Sequence, residues 1–286
     1  MNINQNFIED VVSSFHAAIC ARGNLCQVSK SELTVEFYKK HVYQELYALR
    51  YVPAYYFEYC VLVDELKKRI GKNFGFLNIK SFGCGLSQDY YALRDNLPDN
   101  SFEYIGFDSV KWSSQKYMPP TGNNHKFIFK NVGNLVKEDI DNTDVFIFPK
   151  SIGDIKNGGI EIINNISKLI SNSKNDRIFF LNSFITRGRN SPLDLAAFKI
   201  IHKSLLAAGF KTKDNVDKTF YKHDGITTGK SIGLRAINSG FLYPDKRIGC
   251  EELDESDNEC RSCPVPMSPI FTNGYMAYQI MEYSRQ

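Results

Sequence analysis

The sequence predicts a doubly wound α/β fold with a mostly parallel sheet, preceded by a helical N-terminal region. Three observations predict it. From about residue 74 onward, apolar strand-like runs alternate with helical patterns, the signature of strands joined by crossover helices. The first run, Phe76-Leu77-Asn78-Ile79-Lys80-Ser81-Phe82, ends in the Gly-x-Gly turn Gly83-Cys84-Gly85, with Leu86-Ser87 following. The next run, Tyr104-Ile105-Gly106-Phe107, ends in the carboxylate of Asp108, the layout with which such a sheet holds an adenosine-containing ligand.

Residues 1–72 read as helices. The pattern predicts one from Phe7 to Ala21, a second from Glu32 to Arg50, and a third starting at Pro53, because proline is tolerated in a helix's first turn. Tyr43, Tyr47 and Tyr51 recur every four residues, so one helix face is an aromatic stripe. Such a stripe can pack on the following domain, or can form a lid or substrate wall suited to a planar ligand.

Residues 73–286 form the α/β part. Strands are expected at Leu77 to Phe82, Phe102 to Phe107, Lys126 to Phe129, Val145 to Phe148 and Arg177 to Asn182. Ala277 to Tyr283 reads as a final strand, with an edge strand somewhere in 215–242. Helices are expected at Gln88 to Asn96, Ile160 to Asn172 and Leu193 to Ala208; the last has Ser191-Pro192 as cap and first residue and Gly209 at its end.

The chemistry of the glycine turn is specific. Gly83 and Gly85 allow positive φ and remove Cβ atoms where a ligand must approach the backbone, and Asp108 can accept two hydrogen bonds from a ribose diol. Gln88 occupies the position of the third glycine of a dinucleotide fingerprint, which disfavours a nicotinamide oxidoreductase. Gly83-Cys84-Gly85-Leu86-Ser87 instead resembles motif I of the class I S-adenosylmethionine-dependent methyltransferases. Ile105-Gly106-Phe107-Asp108 is similar to that family's ribose-binding acidic motif, Lys130-Asn131-Val132-Gly133-Asn134-Leu135 to its adenine-side segment, and Asp144-Val145-Phe146-Ile147-Phe148-Pro149 to its motif IV. The chain departs from the pattern at Ser87, where a third glycine is usual, at Ser81, where an acidic residue is usual, and at Asn134, where an aspartate is usual. Ser87 can still cap the following helix, and Asn134 can still bond an adenine amine.

The resemblance implies a Rossmann-like methyltransferase fold with a seven-stranded sheet and S-adenosylmethionine as cofactor. It implies cofactor contacts from Gly83, Cys84, Gly85, Asp108, Asn134 and Pro149. The methyl acceptor is left open among small molecule, RNA and protein. Catalysis of this kind is mostly positioning, needing at most a base.

Ligands of open α/β sheets lie beyond the carboxyl ends of the strands. After the fourth strand, Pro149-Lys150-Ser151-Ile152-Gly153-Asp154 offers a cation, a hydroxyl and a carboxylate, so Lys150 and Ser151 are candidate substrate contacts and Asp154 the candidate base. The same loop can equally lead into a helix with Asp154 near its N-terminus. It is not the Asn-Pro-Pro-Tyr type of loop, which argues against an adenine or glutamine amide acceptor. After the fifth strand, Arg187 and Arg189 flank a glycine and can grip phosphate or carboxylate, or lie in a solvated loop.

Cys250, Cys260 and Cys263 form a C-x9-C-x2-C pattern inside an insertion near 243–270. They can hold zinc or an iron–sulfur cluster, with His223 or Cys84 as a possible fourth ligand, or remain free or redox-active thiols. Some ribosome-associated methyltransferase-like proteins pair a degenerate motif I with a cysteine-bound cluster, and the chain is similar in that respect. The alternative function is therefore a non-catalytic binding or assembly protein with a cysteine-bound structural metal. Asp224-Gly225-Ile226-Thr227-Thr228-Gly229-Lys230-Ser231 is one residue too short for a phosphate-binding loop, and no H-E-x-x-H pair occurs.

A net charge of +3, from 35 basic and 32 acidic residues among 286, neither demands nor excludes a nucleic-acid partner. Seven cysteines, an odd count, fit reduced thiols better than a disulfide framework. No leader and no membrane span is evident, so the expectation is a soluble, cytoplasmic protein, with oligomeric state undetermined.

Overall fold

A computed structural model describes residues 1–21, 35–71, 74–185, 194–217, 221–222, 256 and 276–285. Its elements are α1 (Gln5–Cys20), α2 (Val35–Tyr38), α3 (His41–Ile70), β1 (Leu77–Phe82), α4 (Gln88–Asn96), β2 (Phe102–Asp108), β3 (His125–Phe129), α5 (Lys137–Ile140), β4 (Val145–Pro149), α6 (Ile152–Asn157), α7 (Ile160–Ser171), β5 (Arg177–Ile185), α8 (Leu195–Ala207), β6 (Tyr221–Lys222) and β7 (Met276–Ser284). The strands lie in the order β3-β2-β1-β4-β5-β7-β6. β1 to β5 run parallel to one another, and β7 is antiparallel to β5 from Arg177↔Ser284 to Ile185↔Met276. The fold is the expected doubly wound, mostly parallel α/β type, with six full strands rather than seven. Among the described residues of 215–242, where the edge strand was expected, the two-residue strand Tyr221–Lys222 pairs with the edge of β7 as the sheet's seventh member.

Alternation along the central strands divides the core into two layers. In β4, Val145 and Ile147 join one apolar cluster while Phe146 and Phe148 join the other; β5 divides Phe179 and Leu181 from Ile178 and Phe180 in the same way. The first cluster also contains Phe7, Val11, Phe15 and Ile19 of α1 and Val52, Tyr56, Tyr59 and Leu66 of α3. The N-terminal helices therefore share one face of the sheet with α4, and α7 and α8 pack on the other.

Two expected helix limits are corrected. The stretch predicted as one helix from Glu32 to Arg50 is broken at Lys39-Lys40, where Lys40 is extended. A single 30-residue helix, α3, then continues through Pro53, where a new helix was expected. An interior proline removes one ladder hydrogen bond and costs about 3 kcal/mol. Burial of α3 from Ala48 to Leu66, Pro53 included, offsets that cost. At its far end Arg69 donates to both carboxylate oxygens of Asp214, at 2.5 and 3.1 Å, tying the helix to the chain beyond α8.

Helix α8 ends as its sequence predicts. Gly209 has φ +86°, its N–H bonds the Leu206 carbonyl, and the Phe210 N–H bonds that of Leu205. Its predicted start, Ser191-Pro192, lies outside the described residues, and Asp194 stands at the cap position. Ser87 occupies the cap position of α4 in a left-handed conformation, φ +57°, and its hydroxyl makes no capping bond. That backbone explains why a glycine is usual there, since a residue with Cβ pays about 1–2 kcal/mol for it.

One buried acid was not anticipated. Asp89, in the first turn of α4, is fully buried, and the Tyr104 hydroxyl donates to its carboxylate at 3.0 Å. Burial raises its carboxyl from 3.8 to about 6, against the opposing hydroxyls of Ser81 and Tyr104. The folded state therefore holds this proton more tightly than the unfolded chain. The resulting stabilisation is full below about pH 3.8 and is lost as pH rises through about 6, a change on the order of 3 kcal/mol. Denaturant unfolding of Asp89→Asn between pH 4 and 8 should show a correspondingly flatter dependence; curves parallel to wild type would remove Asp89 as its source.

Candidate active site

A cavity of about 250 Å³ opens beyond the carboxyl ends of β1, β2 and β4. From the sheet side it is lined by Gly83, Gly85, Asp108, Pro149, Lys150 and Ser151, and from the helical side by Tyr38, Tyr47 and Tyr55, with Trp112 over the turn. Parallel strands and short exits put these residues together.

The turn after β1 is tied by backbone bonds to the end of β2. Gly83 has φ +70° and Gly85 φ +55°, and the Gly83 N–H bonds the Phe107 carbonyl at 2.8 Å. A Cβ on Gly83 would come within 2.5 Å of the Ser151 Cβ, and one on Gly85 within 3.4 Å of the Trp112 ring. Gly83→Ala should therefore push the Ser151 loop outward and lower affinity for a ligand in the cavity by about tenfold or more, at a folding cost on the order of 1–2 kcal/mol. Titration and thermal melting of the variant measure both; a variant that binds as wild type does would show that the loop yields freely.

Asp108, at the end of β2, is buried and clasped by this turn. Its Oδ2 accepts from the Gly85 N–H at 2.8 Å and its Oδ1 from the Val110 N–H at 2.8 Å. Each oxygen has a second lone pair for a ligand hydroxyl. Burial raises the carboxyl and these backbone donors pull it back.

The loop after β4 is strained and anchored. Lys150 has φ +58°, unusual for a residue with a long side chain. Its ammonium lies 2.9 Å from Glu58 Oε2, donates to the Phe184 carbonyl at 3.0 Å, and sits 5.2 Å over the Tyr55 ring. Glu58 also accepts from the Ser183 hydroxyl at 3.0 Å. Burial pushes the Glu58 carboxyl up and the Lys150 ammonium down, and the pair opposes both. Ser151 donates its hydroxyl to the Phe82 carbonyl. Lys150 and Ser151 thus line the cavity with side chains already engaged by protein.

Asp154, on α6, lines the cavity and keeps an exposed face. The protein crowded around it raises its carboxyl, and the like charge of Asp194 adds to that. A carboxylate with a raised pKa is a better proton acceptor near neutrality.

Two expected cofactor contacts stand outside the lining. Cys84 turns into the core, fully buried; a Cβ on Gly106 would come within 2.6 Å of its sulfur, and burial pushes its thiol well up. Asn134 is exposed at the end of the 3₁₀ turn Val132–Asn134. Asn131 and Val132 line the cavity in its place, because Asn131 begins that turn at the strand's exit and Asn134 lies one turn, roughly 6 Å, further along. Arg187, Arg189, His223, Cys250, Cys260 and Cys263 lie outside the described residues. Among the described residues no group of three His, Cys, Asp or Glu could hold a metal, and no helix is long and apolar enough to cross a membrane.

Sequence reasoning missed Tyr38, Trp112, Asn131 and Glu58. Trp112, four residues after Asp108 and the chain's single tryptophan, carried the one signal that could have been used.

No family model matches this chain, and no curated protein does. Among solved structures it is similar to the plantazolicin methyltransferase BamL, in complex with a triazolic desmethylPZN analog and SAH. That structure is 15% identical, with a TM-score of 0.48 over 98% of this chain and 100% of that one. The plantazolicin methyltransferase BpumL, in complex with a monoazolic desmethylPZN analog and SAH, is 11% identical, with a TM-score of 0.44 over 98% of this chain and 99% of that one. The glycopeptide N-methyltransferase MtfA is 10% identical, with a TM-score of 0.37 over 54% of this chain and 85% of that one.

Proposed function

We propose that this protein is an S-adenosylmethionine-dependent methyltransferase. The observation that carries the reading is the clasp between Asp108 and the Gly85 N–H, at 2.8 Å, on the wall of a cavity that both residues line. A carboxylate held in that place presents one lone pair per oxygen to a ribose diol. The turn beside it is a cradle that a Cβ would fill.

The residues present fit the cofactor. Gly83 and Gly85 would pass the backbone under its methionine part, Asp108 would hold the ribose hydroxyls, and Asn131 and Val132 would lie on the adenine side. When bound, S-adenosylmethionine supplies a methyl group already activated by its sulfonium. The chain's own residues position the acceptor against the Pro149 to Asp154 loop, exclude water through the Tyr38, Tyr47 and Tyr55 wall, and receive a proton at the Asp154 carboxylate.

Calorimetric titration with S-adenosylmethionine and S-adenosylhomocysteine tests this. Micromolar binding, on the order of −8 kcal/mol, is expected. Asp154→Ala should bind S-adenosylhomocysteine within about threefold of wild type, less than 1 kcal/mol, and lower the turnover of any acceptor found. Well-folded protein that binds neither compound would remove the proposal.

A further inference from the structure

We infer that the tyrosine-lined half of the cavity is an ammonium-binding subsite, and that the acceptor carries a basic amine seated there between Tyr38, Tyr47, Tyr55 and the Asp154 carboxylate. The identification of that amine as an acceptor rests on the methyltransferase reading; the subsite itself does not.

The rings form one connected surface. Tyr47 lies 5.7 Å from Tyr38, 5.3 Å from Trp112 and 6.1 Å from Tyr55, centroid to centroid, and Tyr51 stacks on Tyr55 at 5.7 Å. Aromatic faces attract cations through the ring quadrupole, most strongly where water is excluded. The molecule contains its own precedent, since the Lys150 ammonium sits over Tyr55 from the loop side.

Charge points the same way. The charged residues of the described lining are Asp108, Lys150 and Asp154. Lys150 is neutralised by Glu58, and Asp108 is turned to the glycine clasp. Both lining carboxylates stand near the rings, Asp154 close to Tyr38 and Tyr55 and the clasped Asp108 close to Tyr38 and Tyr47, and Asp154 is the one that makes no part of the clasp. A carboxylate beside electron-rich faces favours an ammonium over a neutral or anionic group.

The box is also built rather than incidental. Gln44, fully buried on α3, donates to the Tyr38 carbonyl at 2.7 Å and the Lys111 carbonyl at 3.1 Å, and accepts from the Ser114 N–H at 3.0 Å. One side chain thereby fixes both segments that carry the outer rings, Tyr38 and Trp112.

Because Trp112 is the chain's single tryptophan and lines the cavity, its fluorescence reports occupancy directly. The full chain is titrated with 2-phenylethylamine, 2-phenylethanol and phenylacetate, with and without saturating S-adenosylhomocysteine. The ammonium should bind about tenfold or more tighter than the alcohol, and the carboxylate weakest. Asp154→Asn should erase the preference for the amine; Tyr47→Leu should weaken the amine several-fold, and Tyr47→Phe should retain it. Equal affinity for amine and alcohol, tighter binding of phenylacetate, or an amine preference that survives Asp154→Asn would each overturn the subsite. Binding of the amine without any binding of S-adenosylhomocysteine would leave the subsite standing and remove the methyltransferase reading. The reverse pattern would remove the subsite alone.

Discussion

Asp108→Ala should lower the affinity for S-adenosylhomocysteine by about a hundredfold or more, the largest loss expected from any single substitution in the cavity. Two effects add. The ribose loses its charged acceptor, worth about 1.5–3 kcal/mol per hydrogen bond. The Gly85 and Val110 N–H groups also lose the oxygens they bond at 2.8 Å, so the turn beneath the ligand is released. Asp108→Asn should fall between the two, because its amide keeps one acceptor oxygen and sets an NH₂ against one of these donors. Calorimetry on both variants, with melting curves as a folding control, measures the loss. Unchanged affinity in a folded alanine variant would remove Asp108 as the ribose anchor.

Lys150→Met should lower the melting temperature by roughly 6–15 °C, corresponding to about 3–5 kcal/mol for breaking a buried ion pair. It strands the Glu58 carboxylate at zero exposure with the Ser183 hydroxyl as its remaining described partner. The double variant Glu58→Leu/Lys150→Met should recover most of that loss, since two apolar groups leave no buried charge. A single variant melting within about 2 °C of wild type would show that the pair contributes little. Affinity for S-adenosylhomocysteine should drop in the single variant as well, because Lys150 holds the loop that carries Ser151 and leads into α6 with Asp154.

The sheet was legible because its determinants are local. Val145 to Phe148 is an apolar run buried on both faces and ended by proline, Leu77 to Phe82 buries alternate residues and ends in glycine, and the turn after β1 needs the glycines it has. Gly209 marked the end of α8 for the same kind of reason. What escaped depends on partners far along the chain. Pro53 read as a helix start because proline's local preference is visible, whereas the packing that carries α3 through it is not. Glu58 and Lys150 are 92 positions apart, and neither residue alone announces an ion pair. Asn134 was chosen by its alignment with a motif, whereas the turn from Asn131 to Asn134 sets Asn131 and not Asn134 on the cavity. The tyrosine stripe was visible as a periodicity. Its two roles, packing on the domain and walling a ligand, were separable only once Tyr47 and Tyr55 were placed on the lining.

The two walls of this cavity are built from separate parts of the chain. One is made of strand ends and tight turns, where Gly83, Gly85 and Asp108 hold one another and almost any exchange disturbs all three. The other is carried by a long rod, α3, that offers Tyr47 and Tyr55 two turns apart, with Tyr51 packed between them, from a core-anchored backbone. A ring on the rod can be exchanged for a smaller or more polar group while the clasp opposite keeps its geometry. Change on the helical wall is therefore open to this architecture one helical turn at a time, with the turn-and-carboxylate wall left intact.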